Sequence, residues 1–463
     1  NHEEINQRKM KRILQSKLIT DYGMVLVLLL LGMLISWVTW DEQHPEDPGA
    51  GRSLARDMVE AMGDDAQIAI VLRQTSGDRK YAAAISEELE RLGVTVAATI
   101  HTKTPREARV ELEELGTQGI TINAIATHNF CFKTWGVIRQ SSLDALAVEY
   151  PSFTGIKAYK PKSYMWPTFL TRKNLVSILN QNAPVAIMAI GMTFVIITAG
   201  IDLSVGSLMA LAALISAVTI RDWLGGAEAS GLGVYTAFGI AITVCMMSGV
   251  FVGLMITWFQ MPPFVVTLAL MMVARGSAFI LAGGADSVDV AAAGTASLYS
   301  GAILGVPNQI MLMLVLYGLA HVVMSHTALG RYVYAVGGNP QAARLSGVPV
   351  FWVIILAYAI CGAAAGLAGV MDVSHFTSGR PKAGEFYELQ VIAAVVVGGT
   401  SLMGGEGKIF GTFIGAMILG VIQNGLNMQG VDSYRANVVY GAVILVAVLV
   451  DQLKRKFFKP ASS

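Results

Sequence analysis

The sequence predicts an α-helical polytopic membrane protein of about ten transmembrane helices, with a small extracytoplasmic α/β (βαβαβ) domain inserted near its start. Hydrophobic residues make up 54% of the 463 residues and charged residues only 14%, against roughly 25% charged in an average soluble domain. The mean hydropathy is +0.56. From residue 183 to residue 451, long uncharged apolar runs alternate with short polar turns, which is the pattern of a multi-span membrane protein.

The apolar runs give the predicted spans. A helix needs about 20 residues to cross an apolar core of about 30 Å, and runs near that length are assigned as spans, the two shortest being extended by polar flanks. The predicted spans are Tyr22–Trp40, Asn182–Ala199, Leu203–Ile220, Leu232–Phe259, Pro263–Gly284, Pro307–His326, Val350–Met371, Leu389–Gly404, Ile409–Val431 and Ala436–Val450.

Basic residues predict the orientation, because Lys and Arg near span ends stay on the cytoplasmic side. They precede the first span and follow the last, so both termini are expected in the cytoplasm, which requires an even number of spans. Trp40-Asp41-Glu42 follows the first span directly and contains no small-residue cleavage site, which indicates an anchor and not a cleaved signal peptide. The basic residues are Arg8, Lys9, Lys11, Arg12, Lys17, Lys454, Arg455, Lys456 and Lys459.

Charge also predicts the domain boundaries. Residues 41–165 contain 18 of the 32 acidic and 14 of the 33 basic residues, and emergence from the first span puts them outside the cytoplasm. The predicted order is therefore an N-terminus and first helix over 1–40, the insertion over 41–165, the transmembrane core over 166–451 and a basic tail over 452–463.

Periodicity within the insertion alternates between strand and helix, which predicts a parallel βαβαβ unit. Thr104 and Pro105 fit the N-cap and first position of its second helix. The predicted elements are strand Ile68–Leu72, helix Asp78–Leu92, strand Val94–Ile100, a helix ending at Leu115, and strand Ile120–Ile125.

The stretch Gln67–Ile125 resembles the opening half-lobe of a sugar-binding periplasmic protein, through "IAIVLRQTSGDRKYAAAISEELERLGVTV". Such proteins close two lobes around a sugar, and only one lobe is present. Two interpretations stay open: an accessory or docking domain, or a site that itself contacts ligand.

Cysteine and histidine predict neither a metal site nor a catalytic centre. Cys245 and Cys361 lie in apolar spans and are expected to be buried, whereas Cys131 is expected to be an exposed thiol; the spacing fits neither a disulfide framework nor zinc. An intramembrane enzyme would cluster His, Asp or Ser at one depth, but His321, His326 and His375 are scattered.

Polar residues at membrane depth are candidates for a translocation pathway, because each is costly unless it faces protein or water. Asp202 lies in a Gly- and Ser-rich break, Ile197–Ser207. It either caps the next helix through the amides of Ser204 and Val205 or belongs to a discontinuous helix that lines a cavity.

Amide side chains in the later spans suit hydrogen bonds between helices and equally suit a neutral, hydroxyl-rich solute. One predicted span contains Gln423, Asn424 and Asn427. The long side chain of Arg275 could extend to the membrane–water interface, so Arg275 alone does not indicate a pathway. The predicted pathway residues are Asp202, Ser204, Thr267, Arg275, Gln390 and Asn424.

Two glycine patterns are assigned to packing and turns. Gly362, Gly366 and Gly369, like Gly411 and Gly415, lie on one helix face and predict close helix contacts.

The stretch Gly398–Gly411 is not a Walker loop, because Leu402 and Ile409 stand where Gly and Ser or Thr are required. This chain is therefore expected to have no ATP site of its own.

The turn Thr327–Val350 contains its own helix signals. Asn339 is a suitable N-cap, Pro340 fits the first helical position, and Gly347 supplies the residue after the helix. So short a helix is marginal alone in water. Ala342, Ala343 and Arg344 are expected to form an exposed ridge suited to a groove on another protein, the alternative being an ordinary connector.

From about Pro167 to Lys456 the chain closely resembles the permease subunits of ribose-type ABC importers. The shared stretches are Asn182–Leu211, Phe264–Gly276, Thr327–Val348, Tyr387–Asn427 and Val443–Asp451. The chain departs from the family in its 125-residue external segment, where such permeases have a short loop.

The resemblance implies a second permease subunit, in a homodimer or another pair of permeases, together with a cytoplasmic ABC ATPase and an extracytoplasmic sugar-binding protein. It also implies a coupling helix that docks on the ATPase. The residues expected there are Gly330, Arg331, Asn339, Pro340, Gln341, Ala342, Ala343, Arg344, Ser346 and Gly347.

The expected function is that of a permease subunit, multi-pass in the bacterial inner membrane, which imports ribose or a related monosaccharide by alternating access. No cofactor is expected on this chain, with ATP and Mg bound by the partner ATPase. The alternative is a transmembrane receptor whose external domain binds a small ligand. A receptor of that kind would need a substantial cytoplasmic output domain, and the sequence predicts only short basic tails.

Overall fold

A computed structural model describes residues 17–63, 66–292, 294–432, 435–436, 438–443, 445–446 and 449. The chain divides into an α/β unit, Thr39–Thr168, and a membrane unit made of the residues up to Val38 and from Phe169 onward. The basic residues between 8 and 12 and between 454 and 459, on which the predicted orientation depends, lie outside the described residues.

After helix α1 (Lys17–Val38) of the membrane unit, the elements of the α/β unit follow in sequence. They are β1 (Trp40–Gln43), α2 (Pro48–Met62), β2 (Ile68–Arg73), α3 (Ser76–Arg91), β3 (Val96–Thr102), α4 (Pro105–Thr117), β4 (Ala124–Ala126), α5 (Asn129–Thr134), α6 (Gln140–Glu149), β5 (Lys157–Tyr159) and β6 (Tyr164–Pro167).

Four strands of this unit form a parallel sheet in the order β3-β2-β4-β5. Ile68 to Leu72 are fully buried, as expected of a central parallel strand covered by helices on both faces. The predicted N-cap is confirmed, since the Thr104 side chain accepts a hydrogen bond from the Glu107 amide. Sequence periodicity missed β5 and the antiparallel ribbon β1-β6, because three or four residues are too few to establish a period.

The remaining elements belong to the membrane unit. They are α7 (Arg172–Ile197), α8 (Val205–Val218, extended by a π-turn to Trp223), α9 (Gly231–Trp258), α10 (Pro263–Leu281), β7 (Val288–Asp289), α11 (Ser297–Ser300), β8 (Ala302–Ile303), β9 (Val306–Pro307), α12 (Asn308–His326), α13 (Ala328–Gly338), α14 (Pro340–Leu345), α15 (Val350–Phe376), β10 (Ser378–Gly379), α16 (Tyr387–Val397) and α17 (Ile409–Met428).

Among the described residues, 7 helices are long and apolar enough to cross a membrane: α7, the extended α8, α9, α10, α12, α15 and α17. The predicted count of ten spans is therefore not confirmed. The expected span Leu389–Gly404 is an 11-residue helix, α16, because the chain turns at Gly399, whose φ of 90° is left-handed. Ala436–Val450 lies partly outside the described residues, and α1 contributes a shorter apolar stretch, Gly23–Val38.

The predicted glycine contacts are confirmed at the centre of the membrane unit, where α15 packs against α7, α8 and α9. A Cβ atom at Gly362 would overlap the carbonyl oxygen of Cys245, and one at Gly369 would overlap that of Met209. Gly415 lies equally close to the carbonyl oxygen of Ala394. Because these residues have no side chains, the helix backbones approach closely. The resulting dispersion contacts stabilise the association of the helices.

Candidate functional site

The membrane unit contains a polar cavity of about 240 Å³. Its wall is formed by the first half of α7, the start of α12, the end of α15, the start of α16 and the second half of α17. The polar side chains that line it are Asn180, Gln181, Asn182, Gln309, Asp372, His375, Tyr387, Gln390, Gln423, Asn424, Asn427 and Tyr440.

Several of these amides also hold the helices together. Asn424 and Asn174 exchange two hydrogen bonds between α17 and α7, at 3.1 and 2.8 Å. Asn182 donates to the carbonyl of Ala416 at 2.7 Å, and the hydroxyl of Tyr440 donates to Gln423. The wall therefore combines rigid interhelical bonds with polar groups that face the cavity.

One charged pair lies at the cavity. Arg380 donates from Nη2 to Oδ1 of Asp372 at 2.6 Å, and its guanidinium carbon lies 3.6 Å from the centre of the Phe376 ring. His375 stacks on Tyr299 with ring centres 3.8 Å apart. Asp372 is the single carboxylate among the described lining residues, and its arginine neutralises it.

Of the six predicted pathway residues, Gln390 and Asn424 line this cavity. Arg275 lines a separate pocket with Glu385 and Glu388, and its Nη1 donates to the carbonyls of Pro381 and Ala383 at 2.7 and 2.8 Å. Arg275 therefore fixes the segment between α15 and α16.

Asp202, Ser204 and Thr267 are fully buried and are not among the described lining residues of either pocket. Asp202 accepts hydrogen bonds from the amide and the hydroxyl of Ser204, at 2.9 and 2.6 Å. The predicted bond from Ser204 is present, whereas the N-cap position of α8 belongs to Ser204 itself. A pathway role for these residues stays a prediction.

Sequence reasoning missed most of the wall. Asn180, Gln309 and Asp372 come from three different helices, and no local motif links them. His375 has no regular spacing from the other histidines, so no sequence pattern marks it. The sequence signal that could have assigned α7 to the cavity wall is the run "NQNAP" at 180–184, which places three amides and a proline in an apolar helix.

The predicted coupling segment has the expected local structure. Asn339 Oδ1 accepts from the amides of Gln341 and Ala342, each at 3.0 Å, Pro340 begins α14, and Gly347 has a φ of 81°. Arg331, Gln341, Ala342, Arg344 and Ser346 are exposed, whereas Gly330 is buried in the bend after α12.

The predicted exposure of one ridge residue, Ala343, was wrong. Ala343 is only 5% exposed and belongs to the core of the membrane unit, because a helix this short must bury one face to be stable. Leu345, which was not predicted, is 90% exposed. The exposed ridge is therefore Gln341, Ala342, Arg344 and Leu345.

The segment before α14 is joined to two loops of the membrane unit. Tyr334 of α13 donates from its hydroxyl to the carbonyl of Gly407 at 2.7 Å, and the Gly405 amide donates to the carbonyl of Ile197 at 2.9 Å. Gly337 lies so close to both Ile197 and Gly405 that a side chain would overlap them. The glycine-rich stretch 398–411 thus forms a turn between α16 and α17 that contacts α13.

The α/β unit has its own polar cluster, at the carboxyl ends of β2 and β4. The Asp78 carboxylate accepts from Arg73 and from His128, with the His128 Nε2 at 2.9 Å, while the Asp78 amide donates to the hydroxyl oxygen of Thr75. Burial disfavours the charged carboxylate, but these hydrogen bonds outweigh it and lower the pKa of Asp78 to about 2. Every oxygen of this carboxylate is thus occupied by protein donors.

The expectation of an exposed thiol at Cys131 was wrong. Cys131 is fully buried, because His128 caps the short helix α5 and directs Cys131 into the core beneath the sheet. Burial raises the pKa of this thiol to about 12, so it is a packing residue. Cys245 and Cys361 are buried, as predicted.

The fold and the cavity define a multi-span membrane transport protein. The family model described as branched-chain amino acid transport system / permease component matches residues 174–448. The chain is 40% identical to the ribose import permease protein RbsC of Escherichia coli over 340 residues, which is 73% of this chain and 100% of that protein. It is 40% identical to RbsC of Bacillus subtilis over 293 residues, 63% of this chain and 88% of that one.

A third relative is the fructose import permease protein FrcC of Rhizobium meliloti, 36% identical over 296 residues, which cover 62% of this chain and 80% of that protein. No solved structure matches the chain. The chain belongs to this permease family, within which it resembles the ribose-type ABC transporter permeases. The whole α/β unit, residues 39–168, lies before the family match begins at residue 174.

Proposed function

We propose that this chain is the membrane-spanning subunit of an ATP-driven importer for ribose or a related monosaccharide. The observation that carries the proposal is the cavity wall, which is rich in amides and has no uncompensated carboxylate among its described residues. Hydroxyl groups of a neutral sugar need hydrogen-bond partners and no countercharge. An amino acid would need opposite charges for its ammonium and its carboxylate.

The size of the cavity supports a small solute. Its volume of about 240 Å³ is below the roughly 300 Å³ at which pockets for drug-sized molecules begin. The printed names of the relatives, ribose and fructose import permeases, favour a monosaccharide. In this proposal the chain lies in the bacterial inner membrane with both termini in the cytoplasm.

Helix α15 provides the mechanical connection. It begins at Val350, five residues after α14 ends at Leu345, and its last turns contain Asp372 and His375 of the cavity. A helix of 27 residues is about 40 Å long. Closure of a cytoplasmic ATPase pair against the ridge of α14 would therefore move the cavity wall through one rigid element, and so alternate its access.

The proposed partners follow from this arrangement: a second permease subunit, a cytoplasmic ABC ATPase that holds ATP and Mg, and an extracytoplasmic sugar-binding protein. For the α/β unit we propose an accessory or docking role outside the cytoplasm. The hydrogen-bonding groups of its charged cluster are bonded to one another. The unit also has one lobe, where sugar-binding proteins use two.

The deciding experiment is uptake of radiolabelled ribose and other sugars, with leucine for comparison, into proteoliposomes that contain the full chain and its ATPase. ATP-dependent uptake of a monosaccharide and not of leucine is expected. Each assay is run with and without the sugar-binding protein. Uptake only in its presence supports an accessory α/β unit, and uptake in its absence assigns the receptor role to residues 39–168.

The coupling assignment is tested by Arg344→Glu, which reverses the charge on the exposed ridge of α14. We expect loss of ATP-driven uptake with normal membrane insertion, because α14 would no longer fit its partner. The matched control is Arg435→Glu, at an exposed arginine beyond the end of α17, which should transport normally. Normal uptake by the Arg344 variant contradicts the coupling role.

A further inference from the structure

Two buried oxygen atoms in the cavity wall have no hydrogen-bond partner among the described residues: Oδ2 of Asp372 and Oδ1 of Asn180. Asp372 is 7% exposed and Asn180 is 9% exposed. Buried polar atoms in proteins are nearly always paired, and each exception needs an explanation. Both atoms are hydrogen-bond acceptors, so the wall lacks donors at these points.

Asp372 is held in position by its other oxygen. Arg380 donates from Nη2 to Oδ1 at 2.6 Å, while Nε of Arg380 is also without a partner among the described residues. An arginine and a carboxylate can form two parallel bonds, and here only one is made. Arg380 therefore neutralises Asp372 without occupying Oδ2.

Asn180 has a second acceptor at the same place, its main-chain carbonyl, which the local structure of α7 leaves without its usual helical partner. Pro184 lies four residues further along the same helix and lines the same cavity. Proline has no N–H, so the helical hydrogen bond to the main-chain carbonyl of Asn180 cannot form. The neighbouring Asn182, by contrast, has its amide nitrogen bonded to the carbonyl of Ala416.

We propose that Oδ2 of Asp372 and Oδ1 of Asn180 accept hydrogen bonds from hydroxyl groups of the transported solute, and that these two residues determine its specificity. The inference rests on the proposed function and deepens it. These two buried atoms accept and do not donate, so the solute must supply O–H groups to them. A sugar that lacks one of those hydroxyls leaves the acceptor unpaired, which is the strongest form of discrimination by hydrogen bonding.

Arg380 is a positioning residue in this proposal, because it contacts Asp372 and not the solute. Its stacking on Phe376 fixes the guanidinium so that Oδ2 stays available. The pair is neutral overall, and this favours a neutral polyol over a charged sugar derivative.

The test is Asp372→Asn, compared with wild type for uptake of the parent sugar and of its monodeoxy analogues. Asparagine keeps the shape and the oxygen that faces Arg380, but it places an N–H donor where Oδ2 stands. In wild type we expect one analogue to be taken up roughly 10- to 100-fold less efficiently than the parent sugar. In the variant, the ratio of parent-sugar uptake to analogue uptake should fall to near one, because only uptake of the parent sugar decreases.

The same sugar-binding protein is used for all assays, so its own selectivity cancels between variant and wild type. The matched control is Asp222→Asn. This substitution also breaks an ion pair, between Nε of Arg221 and Oδ1 of Asp222 at 2.6 Å, but neither residue lines the cavity. It should keep the wild-type preference for the parent sugar.

A second variant, Asn180→Leu, decides the question if the first does not insert into the membrane. Leucine has the same branched shape and removes an unpaired polar atom, so the melting temperature should be unchanged or higher. The preference for one hydroxyl should fall as it does for Asp372→Asn, a combination that a merely structural residue would not give.

Unchanged hydroxyl preference in both variants, with sugar uptake intact in wild type, overturns this inference and leaves the proposed function standing. Failure of the wild-type protein to take up any sugar in the presence of an active ATPase overturns the proposed function itself.

Discussion

Asp78 in the α/β unit and Asp372 in the membrane unit are both buried carboxylates paired with an arginine, yet they are bonded differently. Asp78 accepts from Nε and Nη2 of Arg73, at 2.8 and 3.1 Å, and from His128. Asp372 accepts one bond and leaves its second oxygen unpaired among the described residues. The same residue types thus form a closed network in one unit and an open one in the other.

This difference in hydrogen bonding assigns the two carboxylates different roles, stability for Asp78 and solute binding for Asp372. In parallel sheets, ligands bind outside the carboxyl ends of the strands, where Arg73 ends β2 and His128 follows β4. In this chain the protein's own ion pairs fill that position, which stabilises the unit and supports an accessory role. The open network at Asp372 lies instead in a cavity, where a solute can complete it.

The largest effect is expected from Asp78→Ala. Removing one partner of a buried pair costs about 3–5 kcal/mol, because the fully buried His128 loses the Asp78 carboxylate and Arg73 keeps only its pair with Glu46. Hydrogen exchange in the full-length protein should show opening of β2, β3 and β4. Uptake with a saturating binding protein should be less affected than the stability of this unit.

The matched control is Glu113→Ala, which removes an exposed pair with Arg109 on α4. Surface pairs contribute little, so exchange in the sheet should stay at the wild-type level. Equal effects of the two substitutions would show that the closed network does not stabilise the unit.

Lowering the pH should give the next largest effect. Because the folded state lowers the pKa of Asp78 from 3.8 to about 2, the stabilisation is complete above about pH 4. It is lost as the pH falls towards 2, and it amounts to roughly 2 kcal/mol. Thermal unfolding of the α/β unit in the full chain, measured from pH 7 to pH 2.5, should show this loss in wild type and not in Asp78→Ala.

Asn424→Leu should give the smallest of the three effects. It leaves Asn174 without its partner and removes two hydrogen bonds between α7 and α17. Bonds of this kind between membrane helices contribute about 1 kcal/mol, so the melting temperature in detergent should fall slightly.

Gln390→Leu is the comparison within the same cavity, since no side-chain hydrogen bond of Gln390 is found in the described part of the chain. Its stability should match wild type while sugar uptake falls. A larger loss of stability for Gln390→Leu than for Asn424→Leu would contradict the distinction between bonded and free wall residues. Normal uptake by both variants would argue against their place in the pathway.

Local signals explain where sequence reasoning succeeded. Caps at Thr104 and Asn339, proline at Pro340 and glycine spacing at Gly362 and Gly366 depend on neighbours within a few residues, so the printed order of residues is enough to predict them. The predictions that the structure contradicts, an exposed Ala343 and an exposed Cys131, concern which face of a short helix is buried. A helix of six residues is too short to establish a period.

By itself, the sequence determined the membrane class, the positions of the long spans and the capped helix α14, because these follow from composition and local chemistry. The resemblance to ribose-type permeases follows from the shared sequence stretches. Only the tertiary structure decided which polar residues meet. Asn180, Gln390 and Asp372 lie on separate helices and share a cavity because those helices pack together. Only the structure, likewise, distinguishes the closed carboxylate of Asp78 from the open one of Asp372, since hydrogen bonding depends on positions in space and not on spacing along the chain.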